Sequence, residues 1–155
     1  MCESLGTPEY SRRGILYYKF PEPGALTDRT ALRALGLGYR DKYIAELAEN
    51  VRDGKINLAD FKAMETPDAR KALKKITGIG DKVADCILLF GLHRLEAFPV
   101  DVWIKRIITE QYGGQFPLER YDGFAGVVQQ YIFYFAQLQK TLSQVKSVRK
   151  TRKGA

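Results

Sequence analysis

Apolar residues recur every three or four positions along most of this chain, which is the spacing of one buried helix face. Capping residues and glycines divide the pattern into predicted helices at residues 27–36, 40–53, 58–64, 66–75, 81–90, 102–112 and 124–138. The segment GILYYKF, residues 14–20, lacks that period and is predicted as a short strand or an extended run that ends at prolines. The sequence therefore predicts a mainly α fold.

Two of the predicted helices, within residues 66–90, are joined by a short turn that contains glycines. Thr66 and Pro67 suit the N-cap and the first position of the first helix. Gly78 and Gly80 can adopt positive φ and let another backbone approach closely. The backbone N–H groups of this turn would form an anion site suited to a phosphate. A tight interhelical turn without any ligand is the other interpretation of the same residues.

Lys82 lies in the first turn of the second of these helices, which is otherwise mostly apolar. The positive end of the helix dipole disfavours an ammonium group there, and a neutral amine is the form that acts as a nucleophile. Cys86 follows four residues later and shares the face of Lys82. Asp101 is the predicted N-cap of the helix at residues 102–112, where a fixed carboxylate could stabilise developing positive charge. A solvated lysine and a purely capping aspartate remain open as alternatives.

The motif GIGDKVADC followed by FPVDVW resembles the signature of the helix-hairpin-helix DNA glycosylases, and within them the 8-oxoguanine DNA glycosylases that also have apurinic-site lyase activity. The resemblance extends to LGLGYRDKYI at residues 35–44 and to GFAGVVQQYIFYF at residues 123–135, and covers residues 1–138. It implies a helical glycosylase domain with the hairpin at residues 67–91. The β-rich N-terminal domain that is usual in the family is expected to be absent from this chain.

The resemblance also implies a role for each residue of the reaction site. Lys82 matches the lysine that displaces the damaged base and forms a Schiff base with the sugar, and Asp101 matches the aspartate that assists this step. Cys86 and Phe133 match the residues on either side of the flipped base. Gln129 matches the residue that forms hydrogen bonds with the Watson–Crick edge of the purine. An ordinary core aromatic remains an alternative for Phe133.

A second group of residues matches positions that contact DNA in the family. Tyr39 and Arg40 match residues that wedge into the duplex and contact the unpaired cytosine, although a helix start with a solvated arginine is also consistent with them. The remaining matches are the hairpin residues Gly78, Ile79 and Gly80, together with Val83 and Trp103. Trp103 departs from the commonest family pattern, which has a histidine at that position.

The net charge of +7 is concentrated at the C-terminus. Six of the 25 basic residues lie in residues 140–155, where there is no acidic residue, so the body carries 19 basic and 18 acidic residues. The predicted binding to double-stranded DNA therefore depends on the motif and not on overall charge. We expect residues 140–155 to be a frayed tail, which either adds salt-sensitive attraction to phosphate or is an ordinary solvated terminus.

A chain of 155 residues, 45% of them hydrophobic, is long enough for one domain with a core, predicted at residues 1–139. Only two cysteines are present, Cys2 and Cys86, which fits a reducing compartment and excludes the four-cysteine iron–sulfur cluster of some related glycosylases. The single His93 argues against a zinc site. We expect no metal, no cofactor and no membrane span. A monomer is predicted, in the bacterial cytoplasm with the nucleoid or in a eukaryotic nucleus.

The resemblance favours a bifunctional base-excision repair enzyme that removes 8-oxoguanine and then cleaves the strand as an apurinic-site lyase. A non-catalytic helix-hairpin-helix DNA-binding module is one alternative, but such a module has no use for Lys82 and Asp101. A shortened chain that retains only the lyase activity is a second alternative, because a Schiff base needs only the lysine and an abasic sugar. A glycosylase for another lesion is a third, and Gln129 argues against it.

Overall fold

The computed structural model of this protein describes the backbone of residues 1–152 and the side chains of residues 1–139. The fold is mainly α, as the sequence predicted. Contacts divide the chain into two compact units, Met1–Met64 with Lys75–Gly78 and Glu65–Lys74 with Ile79–Ala155. None of the helices within the described residues is long and apolar enough to cross a lipid bilayer. The predicted fraying of residues 140–155 falls outside the described side chains and stays a prediction.

The first unit combines short helices with one pair of strands. Its elements are α1 (Cys2–Leu5), β1 (Pro8–Tyr10), β2 (Leu16–Tyr18), α2 (Arg29–Ala34), α3 (Asp41–Arg52) and α4 (Asp60–Ala63), with 3₁₀ turns at Pro23–Leu26 and Gly38–Arg40. The strands are antiparallel, with Glu9 opposite Tyr17. β2 confirms the strand predicted within residues 14–20. The sequence did not predict α1 or β1, because elements of four and three residues are too short to show a period.

The core of the first unit lies between α2, α3 and the 3₁₀ turn at Pro23–Leu26. Its buried members are Leu26, Leu32, Ala45 and Ala48. Asp28 caps α2 by accepting a hydrogen bond from the Thr30 amide at 2.8 Å, so the predicted start of this helix is confirmed. The apolar face of α3 was visible in the sequence because it repeats over three helical turns.

A buried carboxylate, Asp41, fixes the start of α3. It is only 2% exposed and accepts hydrogen bonds from the Arg33 guanidinium at 2.9 Å and from the Lys42 amide at 2.7 Å. Burial acts to raise the pKa of Asp41, but the bonds from Lys42 and Arg33 outweigh it and lower the pKa below its ordinary value. Its contribution to stability is therefore present above the ordinary aspartate pKa and is lost as the pH falls through the lowered value.

The second unit contains the hairpin pair and the long C-terminal helix. Its elements are α5 (Thr66–Leu73), α6 (Asp81–Cys86), a π-helical turn (Ile87–Gly91), α7 (Val102–Gln111), a 3₁₀ turn (Leu118–Tyr121) and α8 (Ala125–Arg152). The fully or almost fully buried side chains include Ala69, Ala84, Leu88 and Ile104. The helical backbone of α8 continues well past residue 138, where the sequence predicted its end.

The start of α5 differs from the prediction that Thr66 is its N-cap. Glu65 occupies the N-cap position, and no side chain caps this helix. The Thr66 hydroxyl instead donates a hydrogen bond to the Glu96 carboxylate, which lowers the pKa of Glu96. A partner thirty residues away competes for the hydroxyl, and local sequence contains no signal for such a partner.

A close contact at Gly126 joins α8 to the loop that precedes α7. The Gly126 amide donates a hydrogen bond to the Leu95 carbonyl oxygen at 2.8 Å. A Cβ atom at Gly126 would lie 2.2 Å from the Ala97 carbonyl oxygen and 2.9 Å from that of Leu95, so no other residue fits there without movement of the backbone. This glycine therefore determines how close α8 lies to the loop that leads to Asp101.

We predict that Gly126→Ala lowers the free energy of unfolding by roughly 1–3 kcal/mol, because overpacking forces the backbones apart. Urea unfolding followed by circular dichroism measures the loss. Gly91→Ala is the matched control, since a Cβ there meets only the Ile87 Cγ2 atom at an ordinary 3.8 Å. A Gly126→Ala protein as stable as this control would show that the contact imposes no constraint.

Candidate active site

Five of the residues predicted to act at the site line one cleft in the second unit. The cleft has a volume of about 170 Å³, and its lining includes Lys82, Cys86, Asp101, Gln129 and Phe133. These residues come from α6, from the cap of α7 and from α8, which are far apart in sequence. The structure thus brings together a potential amine nucleophile, a carboxylate, a buried amide and an aromatic ring. The chemical role of each residue stays a prediction.

Three further lining residues, Phe90, Pro99 and Gln130, were not predicted. Phe90 belongs to the π-helical turn, in which the Leu92 amide donates a hydrogen bond to the Ile87 carbonyl oxygen at 3.0 Å. The extra residue in this turn changes the direction of the side chains that follow α6, and Phe90 is 63% exposed. A period-based prediction continues α6 to residue 90 as a regular helix and cannot locate this ring.

Lys82 is the second residue of α6 and its side chain is exposed. The neighbouring Ala84 and Leu88 are fully buried and hold the opposite face of the helix against the core. Cys86, one turn after Lys82, is partly buried and lines the same cleft. The lysine is therefore attached to a fixed backbone while its amine remains accessible.

A charged pair fixes α6 against α5. Arg70 on α5 donates two hydrogen bonds to the carboxylate of Asp85, at 2.7 and 3.1 Å, and a third to Asp81 at 2.9 Å. Asp85 is only 9% exposed. The hydrogen bonds that its carboxylate accepts from Arg70 raise the pKa of Arg70. Lys74 and Arg70 lower the pKa of Asp81 at the start of α6. This bidentate contact holds the helix that carries Lys82 at a fixed distance from α5.

Asp101 caps α7, as the sequence predicted. Its Oδ1 atom accepts hydrogen bonds from the amides of Trp103 at 3.0 Å and Ile104 at 2.8 Å. Within the described part of the chain the other oxygen, Oδ2, has no hydrogen-bond partner. One carboxylate can therefore cap the helix and still present an oxygen to the cleft. The rings of Phe98 and Phe116 stack at 5.0 Å and support the loop before this cap.

Gln129 and Phe133 lie one turn apart on α8 and differ in their surroundings. Gln129 is 4% exposed, so its amide is held in the protein interior beside the cleft. Phe133 is partly buried and contributes to the cleft wall, whereas the neighbouring Tyr131 and Tyr134 are 73% and 68% exposed. This aromatic-rich stretch therefore does not pack as a whole into the core. Phe90 and Gln130 also border a second, larger cleft of about 610 Å³.

The two glycines of the hairpin turn differ from each other in conformation. Gly78, in the first unit, has φ of +87°, and a Cβ atom there would lie 2.6 Å from the Cγ atom of Tyr43. Gly80, in the second unit, is the extended N-cap of α6 with φ of −93°, and a Cβ there meets nothing within 4 Å. The prediction of positive φ is thus correct for Gly78 and wrong for Gly80. Ile79, between them, is partly buried.

The other predicted DNA-contacting residues are at least partly accessible. Tyr39 is 67% exposed in the 3₁₀ turn Gly38–Arg40, and the Arg40 guanidinium lies 4.9 Å from the centre of its ring. Val83 on α6 is 41% exposed. Trp103 on α7 is partly buried and lines a groove between α7 and α8.

Sequence comparison finds relatives that are described as N-glycosylase/DNA lyases. No family model matches the chain. The chain is 37% identical over 124 residues to a probable N-glycosylase/DNA lyase of Methanothermobacter thermautotrophicus, a match that covers 74% of this chain and 39% of that protein. An N-glycosylase/DNA lyase of Saccharomyces cerevisiae is 36% identical over 125 residues, which covers 72% of this chain and 33% of the yeast protein.

Solved structures with the same helical arrangement include MBOgg1 in complex with a low-affinity DNA ligand, with a TM-score of 0.80 and 35% identity over 90% of this chain. The 8-oxoguanine glycosylase/lyase of Clostridium acetobutylicum, in complex with double-stranded DNA that has cytosine opposite 8-oxoguanine, has a TM-score of 0.77 and 29% identity over 90% of this chain. The chain spans about half of these solved chains, 52% and 51% respectively, and between 33% and 39% of the curated relatives.

We predict that alanine substitution affects stability much more at Gly78 than at Gly80. Gly78→Ala should lower the free energy of unfolding by roughly 2–4 kcal/mol, because alanine is strained at positive φ and its Cβ collides with the Tyr43 ring. Gly80→Ala should change it by less than about 1 kcal/mol, since its backbone is extended and the space around it is open. Thermal and urea unfolding of the two variants gives the comparison. Equal losses would contradict the different conformations of the two residues.

Proposed function

Because this chain belongs to the helix-hairpin-helix family of DNA glycosylases, we propose that it removes 8-oxoguanine from double-stranded DNA and then cleaves the strand at the abasic site. The observation that carries the proposal is the cleft that contains both Lys82 and Asp101 together with Cys86, Gln129 and Phe133. A module that only binds DNA needs the hairpin backbone but has no use for a lysine and a carboxylate in one cleft.

The cleft residues suit a reaction on a base that has left the duplex. A base inside the helix cannot be reached, so it must be extruded into a pocket that reads its edge and covers its faces. We assign the Gln129 amide to the edge of the base, and Cys86 and Phe133, which line the same cleft, to its two faces.

Lys82 is the proposed nucleophile. The lone pair of its amine forms a bond to C1′ of the sugar while the bond from C1′ to the base breaks, and the base leaves with that electron pair and takes up a proton. The attached nitrogen loses a proton, and its lone pair forms the C=N bond of an imine while the C1′–O4′ bond breaks and O4′ takes up a proton. Removal of a proton from C2′ then expels the phosphate as the C3′–O bond breaks, which cleaves the strand. We assign the Oδ2 oxygen of Asp101, which is not used in the helix cap, to stabilising the positive charge that develops on the sugar.

The DNA contacts are assigned to residues of both units. We assign the hairpin residues Gly78, Ile79 and Gly80 to a phosphate, through their backbone amides, with Val83 and Trp103 as neighbouring contacts. Tyr39 and Arg40 are assigned to the gap that the extruded base leaves and to the unpaired cytosine, since a planar guanidinium can form two hydrogen bonds with a base edge. The protein would act as a monomer on chromosomal DNA, in a nucleoid or a nucleus.

A specific alternative is that this chain acts only as an apurinic-site lyase. The Schiff base needs Lys82 and an abasic sugar, whereas lesion selection needs every wall of the base pocket. Among the described residues, the cleft is open enough for Phe90 to remain 63% exposed. The experiment below therefore uses both kinds of DNA.

Lys82→Gln should abolish covalent trapping, because glutamine has no amine to form the imine. Borohydride reduces the imine to a stable amine, so the covalent complex is measured on a denaturing gel with duplexes that contain 8-oxoguanine opposite cytosine or an abasic site. We expect wild type to be trapped on both duplexes and Lys82→Gln to lose at least about 100-fold of the signal, as for loss of a covalent nucleophile. Lys55→Gln is the control, since its side chain is 67% exposed and lies outside the cleft.

Each outcome distinguishes one function from another. Trapping only on the abasic duplex favours the lyase alternative. Salt-sensitive DNA binding without any trapping favours the non-catalytic module. Trapping that persists in Lys82→Gln would show that a different amine is the nucleophile.

The variant Asp101→Asn should separate the role of Asp101 as the N-cap of α7 from its proposed role in catalysis. Asparagine caps helices about as well as aspartate, so the free energy of unfolding should change by only a few tenths of a kcal/mol, whereas Asp101→Ala should lose about 1 kcal/mol. Both variants lack the charge that stabilises the sugar, so single-turnover excision of 8-oxoguanine should slow by roughly 10²-fold or more in each. An Asp101→Asn protein with the wild-type excision rate would leave Asp101 with a capping role only.

A further inference from the structure

Gln129 and Gln130 are consecutive residues of α8, and both line the cleft. The Nε2 atom of Gln130 donates a hydrogen bond to the Oε1 atom of Gln129. Gln129 is 4% exposed, so few groups are in a position to set the orientation of its amide. The resemblance gives a role to Gln129 and none to Gln130.

This hydrogen bond defines which groups of Gln129 are available to a ligand. Among the residues that the structure describes, the Nε2 group of Gln129 has no hydrogen-bond partner. Its Oε1 atom keeps the second of its two lone pairs. The Nε2 group therefore remains open to the cleft, and a ligand that supplies one acceptor and one donor side by side would satisfy both groups of the amide.

Purine bases present two opposite arrangements on the edge that such an amide would contact. A 6-oxopurine has the acceptor O6 beside the donor N1–H, whereas a 6-aminopurine has a donor amino group beside the acceptor N1. An amide also carries a donor beside an acceptor, and it can pair with either edge if it is free to turn over. The orientation of the Gln129 amide therefore decides which class of purine is accepted.

We propose that Gln130 is a positioning residue that holds the Gln129 amide in the orientation that pairs with 6-oxopurines and opposes pairing with 6-aminopurines. The proposal deepens the proposed function and rests on it, since it presumes that a purine enters the cleft. The hydrogen bond from Gln130 holds the Oε1 atom of Gln129 on the side of the amide that faces Gln130. Rotation of the Gln129 amide by half a turn would break this hydrogen bond. Gln130 acts through Gln129 and needs no contact with the base itself.

The test compares two lesions that differ only at the edge in question. Duplexes carry 8-oxohypoxanthine or 8-oxoadenine opposite cytosine, and single-turnover excision rates give a selectivity ratio for each protein. Gln130→Met keeps the length of the side chain without a hydrogen bond. In Gln130→Glu, the carboxylate can only accept hydrogen bonds at neutral pH. It should therefore accept a hydrogen bond from the Nε2 group of Gln129 and favour the reversed orientation of that amide. Gln139→Met is the control, an exposed position on the same helix that does not line the cleft.

Wild type and Gln139→Met should prefer 8-oxohypoxanthine to the same degree. Gln130→Met should lower the ratio roughly 3- to 10-fold, which corresponds to one neutral hydrogen bond. Gln130→Glu should lower it further, by roughly 10-fold or more, towards 8-oxoadenine. The added charge acts on both substrates alike and cancels in the ratio. An unchanged ratio in both variants overturns the proposal, and so does an equal loss on both lesions, which would indicate general support of the helix.

A binding measurement separates this proposal from the proposed function. The same two bases are placed on 2′-fluoro sugars, which resist excision, and the affinity of each duplex is measured by fluorescence anisotropy. If wild type excises neither base yet prefers the 6-oxopurine duplex, and Gln130→Glu loses that preference, the glycosylase assignment fails and the positioning role stands. If both bases are excised and the affinity ratio does not respond to Gln130, the positioning role fails and the glycosylase assignment stands.

Discussion

The contact between Gly126 and the loop at residues 95–97 is the constraint on which the arrangement of the cleft depends. A Cβ at residue 126 would lie only 2.2 Å from the Ala97 carbonyl oxygen, so α8 can approach this loop so closely only because residue 126 has no side chain. The loop continues to Asp101, and α8 continues to Gln129 and Phe133. This backbone contact thus helps to set the distance between the Asp101 carboxylate and the two side chains of α8 that line the cleft. The amine is positioned separately, since α6 is held to α5 by the bidentate bond between Arg70 and Asp85.

Much of this arrangement could be predicted from the sequence, because its signals are local. The cap at Asp101 and the period of α3 depend on residues that are near each other in the chain, and both are confirmed. The signature motif also predicted residues of three separate elements that the structure places around one cleft. That prediction used the resemblance, since spacing alone does not show that α6 and α8 approach each other.

The differences between sequence and structure have long-range causes. Thr66 has the residue type of an N-cap, but its hydroxyl bonds to Glu96, thirty positions away. Phe90 was expected in a regular helix, and the π-helical turn at Ile87–Gly91 places it at the cleft instead. Gln130 carried no signal in the sequence, because its hydrogen bond to Gln129 is a contact between side chains. Secondary-structure propensities depend on a residue and its neighbours in the chain. Those local preferences determine none of these three features.

The two glycines of the hairpin look equivalent in the motif, but the structure subjects them to different requirements. Folding requires a glycine at position 78, because the Tyr43 ring leaves no room for a side chain and the backbone is left-handed. At Gly80 the backbone is extended, and no atom of the protein occupies the space of a side chain. Among related chains under selection for folding alone, substitutions should therefore replace the second glycine long before the first. Retention of the glycine at position 78 would then reflect a requirement of folding, whereas folding alone does not require a glycine at position 80.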